Sequence, residues 1–192
     1  MSRLIIATNN AGKVKEIKAI FEGVYDEVLS LKEAGIALEV EEDGVTFEQN
    51  AVKKAVEAAK VSGCDVLADD SGLCVEALGG APGVFSARYA GPHATDALNN
   101  AKLLAALENE ENRAAKFVAV VALVKGENVI TACGEVCGEI ARRPSGGGGF
   151  GYDPLFFLPE LGQTFAEIPA EIKNSMSHRA RALHMLKEKL NA

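Results

Sequence analysis

Two adjacent carboxylates, Asp69 and Asp70, interrupt an otherwise apolar run, Val66-Leu67-Ala68-Asp69-Asp70-Ser71-Gly72-Leu73-Cys74-Val75. On a strand, neighbouring side chains point to opposite faces, so the two acids cannot share one task. A carboxylate between buried runs is costly unless a metal, a cation or hydrogen-bond donors compensate it. Two readings are open for this stretch alone. It is a metal-holding strand, or it is an Asp-Asp-Ser-Gly turn between two strands, with Asp and Ser capping backbone groups.

Three further segments carry chemistry-bearing residues. Leu4-Ile5-Ile6-Ala7 reads as a buried strand and leads into Thr8-Asn9-Asn10-Ala11-Gly12-Lys13, then a helical pattern with Val14, Ile17, Ile20 and Phe21 on one face. A polar loop opening a helix presents backbone N–H groups to an anion, and Lys13 adds a point charge. The Walker A spacing is absent, and a plain capped turn with a solvated lysine is the competing reading. Pro144-Ser145-Gly146-Gly147-Gly148-Gly149-Phe150-Gly151-Tyr152-Asp153-Pro154 combines four successive glycines with two aromatics and an acid. A folded chain keeps such glycines where the backbone approaches something closely or takes φ > 0. An aromatic face plus a carboxylate acceptor suits a purine, by stacking and by hydrogen bonds to ring N–H groups; a flexible loop with aromatics tucked into the core is the alternative. Finally, Lys173-Asn174-Ser175-Met176-Ser177-His178-Arg179 enters the last helix, with Ser175 or Ser177 as its N-cap. His178 and Arg179 then oppose the helix dipole in the first turn, a cost that a nearby anion removes.

The frame that positions these residues belongs to an ordinary globular chain. It has 192 residues, 48% hydrophobic and 24% charged, enough for one substantial domain. A net charge of −7 argues against a general nucleic-acid or anionic-membrane binder but leaves room for a local cationic cluster. Cys64, Cys74, Cys133 and Cys137 form no C-x-x-C pair, which argues against a zinc site, and Cys74 and Cys133 read as small buried hydrophobes. No signal peptide or long apolar span is evident, and a reduced, cytoplasmic setting is expected. Residues 25–31 predict a second strand. The acidic run Glu39-Val40-Glu41-Glu42-Asp43 precedes a capping box, Thr46 with Gln49, that opens a helix with Phe47, Ala51, Ala55 and Ala58 on one face and Gly63 at its end. Asn50 and Lys54, four apart, share a face of that helix; it reads as a solvated face, with a face pointed at a ligand as the alternative. Residues 95–107 predict a helix with Leu98, Ala101, Leu104 and Ala105 apolar, 117–124 and 129–140 two paired strands, and the last helix buries Ala180, Leu183, Leu186 and Leu190.

Together, Thr8-Asn9-Asn10-Ala11-Gly12-Lys13, Asp69-Asp70-Ser71-Gly72, Gly79-Gly80-Ala81-Pro82-Gly83, Phe150-Gly151-Tyr152-Asp153-Pro154 and Ser177-His178-Arg179 resemble the inosine/xanthosine triphosphate pyrophosphatase family, the Ham1-like enzymes. The resemblance runs from residue 3 to about residue 190, with the motifs in family order. Asn9 and Gly148 depart from the family pattern without removing a functional group. The resemblance implies one α/β domain over 1–192, with a long mixed central sheet, flanking helices, two lobes around a cleft, and a homodimer. It implies Mg²⁺-dependent hydrolysis of dITP, ITP, XTP and dXTP to the monophosphate and pyrophosphate, with Asp70 as catalytic base. The acidic run supplies the other metal carboxylate, Glu41 or Glu42, and the register against Gly44 favours Glu41. The implied substrate contacts are residues 8–13, Ser71, Phe150, Gly151, Tyr152, Asp153, Lys173, His178 and Arg179. Lys13 and Lys173 are expected to neutralise the triphosphate. Arg179 and the backbone at His178 are expected to donate to a purine 6-oxygen.

Overall fold

The computed structural model describes residues 2–191. Seven strands make one mixed sheet in the order β2-β1-β3-β4-β5-β6-β7, namely Glu27–Ser30, Arg3–Ile6, Asp65–Val75, Ala114–Lys125, Asn128–Ile140, Phe156–Leu158 and Gln163–Thr164. The helices are α1 (Ala11–Phe21), α2 (Phe47–Ser62), α3 (Asp96–Ala106), α4 (Ala170–Met176) and α5 (His178–Asn191). β1 pairs in parallel with both β2 and β3, as expected where helices join the strands. β5 and β6, and β6 and β7, pair antiparallel.

The chain packs as two compact units. The first holds residues 1–70, 119–134 and 179–192. One of its cores joins Leu4, Ile6, Ile17, Phe21 and Leu67 to Leu183 and Leu186. The other packs Ala51, Ala55 and Ala58 of α2 against Ile5, Val66, Ala68 and Val120. Alanine on that face of α2 lets the helix lie close to the strands. The second unit holds residues 71–118 and 135–178, around Leu73, Val75, Leu103, Phe117, Tyr152, Phe156 and Phe165. β3, β4 and β5 each contribute residues to both units. No helix among the described residues is long and apolar enough to cross a membrane.

Local signals in the sequence reappear as geometry. Thr46 accepts from the Gln49 amide at 3.1 Å, while the Gln49 side chain reaches back one residue past the cap, to the Val45 amide at 2.9 Å. Gly63 closes α2 in the left-handed region at φ 64°. Ser177 is the extended residue directly ahead of α5, whereas Ser175 lies inside α4 and donates to the Ile172 carbonyl at 2.7 Å. Two expectations fail. Leu98 is 54% exposed, and α3 buries Asn99 and Leu103 instead, because its polar residues bond neighbouring backbone. Cys133 is exposed and Cys74 only half-buried; on β5 the alternation puts Ala132, Gly134 and Val136 inward and Cys133 outward.

Candidate active site

Asp69 and Asp70 lie mid-strand on β3, so the turn reading of this stretch is excluded. Strand alternation gives the two acids different partners. The Asp69 Oδ2 atom takes Lys13 Nζ at 3.1 Å and Arg179 Nε at 3.0 Å, with the side chain fully buried. Arg179 is 1% exposed and its Nη1 also donates to Glu16, a buried acid of α1. Burial opposes the Asp69 charge, and the Lys13 and Arg179 cations overcome it, holding the carboxyl well below the usual range. Burial also lowers the Lys13 pKa, against the pull of Asp69.

Asp70 meets a different set. Its Oδ2 accepts from Asn50 Nδ2 at 2.9 Å, and its Oδ1 lies 3.8 Å from Lys54 Nζ. Lys54 Nζ is also 2.5 Å from Glu42 Oε1, and Asn50 Oδ1 accepts the Gly44 amide at 2.8 Å. Here burial prevails over Lys54, and the Asp70 carboxyl is raised above its ordinary value. Asn50 and Lys54 are therefore no solvated face of α2: both are buried, because their partners are Asp70 and the acidic run. Glu42 is the member of that run held by Lys54, while the Glu41 side chain is exposed.

The loop from Thr8 to Lys13 opens α1 as the sequence expects. Asn10 is the N-cap, its Oδ1 accepting the Lys13 amide at 3.1 Å, and Asn10 in turn donates from its own amide to Thr8 Oγ1 at 3.2 Å. Asn9, Asn10 and Ala11 are exposed and Gly12 is half-buried, with the Ala11 and Gly12 amides in the first helical turn, where no preceding turn supplies an acceptor.

In the second unit the residues from Phe150 to Asp153 form a tight turn tied by one carboxylate. Asp153 Oδ2 accepts the Phe150 amide at 2.9 Å and Lys173 Nζ at 2.6 Å. The same ammonium lies 4.8 Å from the centre of the Phe150 ring. Lys173, which the sequence expects against a triphosphate, is 4% exposed and held by Asp153 beside the Phe150 ring. The glycines have identifiable reasons. Gly149 has φ +72°, and a Cβ there would fall 2.0 Å from Asp153 Oδ2; a Cβ on Gly146 would fall 2.5 Å from the Ala166 backbone. The Tyr152 ring belongs to the core, and its hydroxyl donates to the Ser86 carbonyl at 2.7 Å, so the side chain anchors the turn. Ser71 is half-buried on β3, and His178, 4% exposed, stacks on Phe117 with centroids 4.7 Å apart.

Sequence reasoning missed Glu16, and gave Asn50 and Lys54 to solvent. The available signal was their polarity at helical spacing on apolar faces: Glu16 beside Ile17, Asn50 and Lys54 beside Ala51, Ala55 and Ala58. Among the described residues no three His, Cys, Asp or Glu side chains gather as a metal-ligand set. A site with one or two carboxylates is what Mg²⁺ uses when phosphate oxygens complete its shell.

The Ham1 family model matches residues 4–189. A dITP/XTP pyrophosphatase of Geobacter sulfurreducens is 54% identical over 193 residues, covering 99% of this chain and 97% of the relative. One of Clostridium perfringens is 52% identical over 200 residues, covering 99% and 98%. Among solved structures, a HAM1 protein of Coxiella burnetii superposes with a TM-score of 0.89 at 41% identity, covering 100% of this chain and 99% of that one. The Ham1 protein of Staphylococcus aureus gives 0.88 at 43% identity, covering 99% and 98%. With the motifs, the mixed sheet and the paired acids of β3 all in place, the chain belongs to the Ham1 family.

Proposed function

We propose that this chain is a pyrophosphohydrolase of deaminated purine nucleoside triphosphates, dITP, ITP, XTP and dXTP, and that residues 1–192 act as one catalytic domain. The observation that carries the reading is the split character of the paired acids: Asp69 is held as an anion by Lys13 and Arg179, while Asp70 is raised by burial beside Asn50 and Lys54. Asp69 is thus committed to two cations, and Asp70 is the carboxylate of the pair assigned to take a proton from water. Water attacks the α-phosphorus, its proton passes to Asp70, and the bond to the bridging oxygen breaks to release pyrophosphate and the monophosphate.

Glu41 and Asp70 are the proposed holders of Mg²⁺, both hard oxygen donors, with Glu42 already engaged by Lys54. Bound there, the ion supplies charge neutralisation to the departing pyrophosphate. The Thr8–Lys13 loop, through its first-turn amides and Lys13, takes the phosphate chain, and Ser71 donates to phosphate or ribose. Phe150 stacks on the purine, and the backbone at Gly151 and Tyr152 with the Asp153 carboxylate forms the edge of its slot. Arg179, oriented by Asp69 and Glu16, and the backbone at His178 donate to the 6-oxygen. Adenine offers an amino group there and leaves buried donors unpaired, a mismatch worth up to ~10⁴ in selectivity. The family kinship supports a homodimer as the working form.

The test is pyrophosphate release from a panel of dITP, XTP, dGTP, dATP and dUTP, with and without Mg²⁺. Strong preference for dITP and XTP, dependent on the metal, is expected. Equal turnover of dATP overturns the base reading, and binding without turnover of any member overturns the enzyme reading.

A further inference from the structure

The aromatic turn is closed on itself by Asp153, but the two peptides that flank Gly151 are gripped from outside. Gly151, at φ 63°, donates its N–H to Asp96 Oδ2 at 2.8 Å, and its carbonyl accepts from Asn100 Nδ2 at 3.1 Å. Asp96 and Asn100 stand four apart on α3, and so share one face of that helix. The same helix uses Asn99 in like manner on a different segment, donating to the Ala87 carbonyl at 3.1 Å and accepting the Ala90 amide at 2.8 Å. Asn99 is buried and Asp96 is exposed; the Asn99 bonds serve packing, and the Asp96–Asn100 pair serves the turn.

We infer that Asp96 and Asn100 are positioning residues for purine recognition, a clamp on the two peptides that flank Gly151, which sets the Phe150 ring and the turn that Asp153 closes. This rests on the base slot proposed above. Phe150 and Gly151 share a peptide bond, so rotation at Gly151 swings the ring and shifts the amide that Asp153 accepts. A glycine at positive φ has many alternative conformations, and two hydrogen bonds from one helix face remove most of them. Other anchors from outside the turn, Tyr152 to the Ser86 carbonyl and Lys173 to Asp153 and the Phe150 ring, hold side chains and make no bond to the Gly151 backbone. Neither Asp96 nor Asn100 touches the purine in this account; both act through Gly151.

The experiment compares wild type with D96A, N100A and D96N, each checked for folding by circular dichroism. KM and kcat are measured for dITP and dGTP, and inhibition is measured with inosine monophosphate and, separately, with pyrophosphate. D96A and N100A are each expected to raise KM for dITP about three- to tenfold, the scale of one lost hydrogen bond, with kcat within about twofold. Inhibition by the monophosphate weakens in step and inhibition by pyrophosphate does not. D96N restores wild-type values, because its Oδ1 accepts the same N–H. Unchanged KM and selectivity overturn the clamp, as does parallel weakening of both inhibitors. If an alanine variant does not fold, amide hydrogen exchange of wild type decides: a Gly151 amide exchanging as fast as an unstructured peptide overturns the clamp, and marked protection sustains it. Absence of dITP turnover by wild type overturns the functional reading and leaves the exchange result to judge the clamp.

Discussion

Replacing each of the adjacent acids by its isosteric amide separates a residue that holds the fold from one that does chemistry. Asp69→Asn removes a fully buried charge that faces Lys13 Nζ at 3.1 Å and Arg179 Nε at 3.0 Å. The cluster of Lys13, Arg179, Glu16 and Asp69 is neutral as it stands; without the Asp69 charge it holds two cations against Glu16 alone. Breaking a buried pair by removing one partner costs about 3–5 kcal/mol. For a chain of this size that lowers the melting temperature by roughly 6–20 °C, at about 2–4 °C per kcal/mol.

Asp70→Asn removes a charge that burial already disfavours. The amide oxygen still accepts from Asn50, and Lys54 keeps Glu42 at 2.5 Å. Stability within about 1 kcal/mol of wild type is expected, together with a loss of at least ~10² in pyrophosphate release from dITP, the scale of a lost general base. Thermal melts followed by circular dichroism and a pyrophosphate assay on the same preparations make the comparison. Asp69→Asn melting within ~3 °C of wild type, or Asp70→Asn destabilised as much as its neighbour, refutes the division of labour.

Two other perturbations test the surroundings. Gly149→Ala places a methyl 2.0 Å from Asp153 Oδ2 at φ +72°, so a loss of about 2 kcal/mol in a denaturant melt is expected, with a raised KM for dITP; wild-type stability would show that Asp153 yields freely. Glu41→Gln is expected to raise the Mg²⁺ concentration for half-maximal rate at least ~10-fold, and Glu42→Gln, which loosens Lys54, to change it far less; the reverse order in a Mg²⁺ titration reassigns the metal to Glu42.

What could be read from the sequence was local. The strand before Thr8, the Thr46 cap, the Gly63 stop and the apolar stripe of α5 are all set within a turn or two of chain, and each stands where the pattern puts it. What could not be read depends on partners far away along the chain. Asn50 looks like a solvent-facing residue until Asp70, 20 positions on, accepts from it. Glu16 looks like one more charge on an amphipathic helix until Arg179, 163 positions on, buries it. Periodicity assigns polar residues to solvent by default, and a buried ion pair is the case where that default fails. The face of α3 failed for the same reason, since Asn99 is turned inward by backbone groups at Ala87 and Ala90.

Three lysines follow one rule that bears on how an acidic chain could take a polyanion. Lys13 has Asp69, Lys54 has Glu42, and Lys173 has Asp153, each within 3.1 Å. Each carboxylate holds its lysine in place before any ligand arrives. On the proposed function, the side-chain entropy of ordering Lys13 has already been lost in folding when phosphate oxygens meet it. The price is competition, because the phosphate must share Lys13 with Asp69. Asp69 is itself shared with Arg179, so as Lys13 turns toward a phosphate the acid keeps a cation at 3.0 Å and is never left bare. Arg179 thereby makes Lys13 transferable, and Arg179→Leu is expected to weaken pyrophosphate inhibition even though the guanidinium touches no phosphate in this account. Inhibition equal to wild type, in a variant that folds, would show that Lys13 moves without that support.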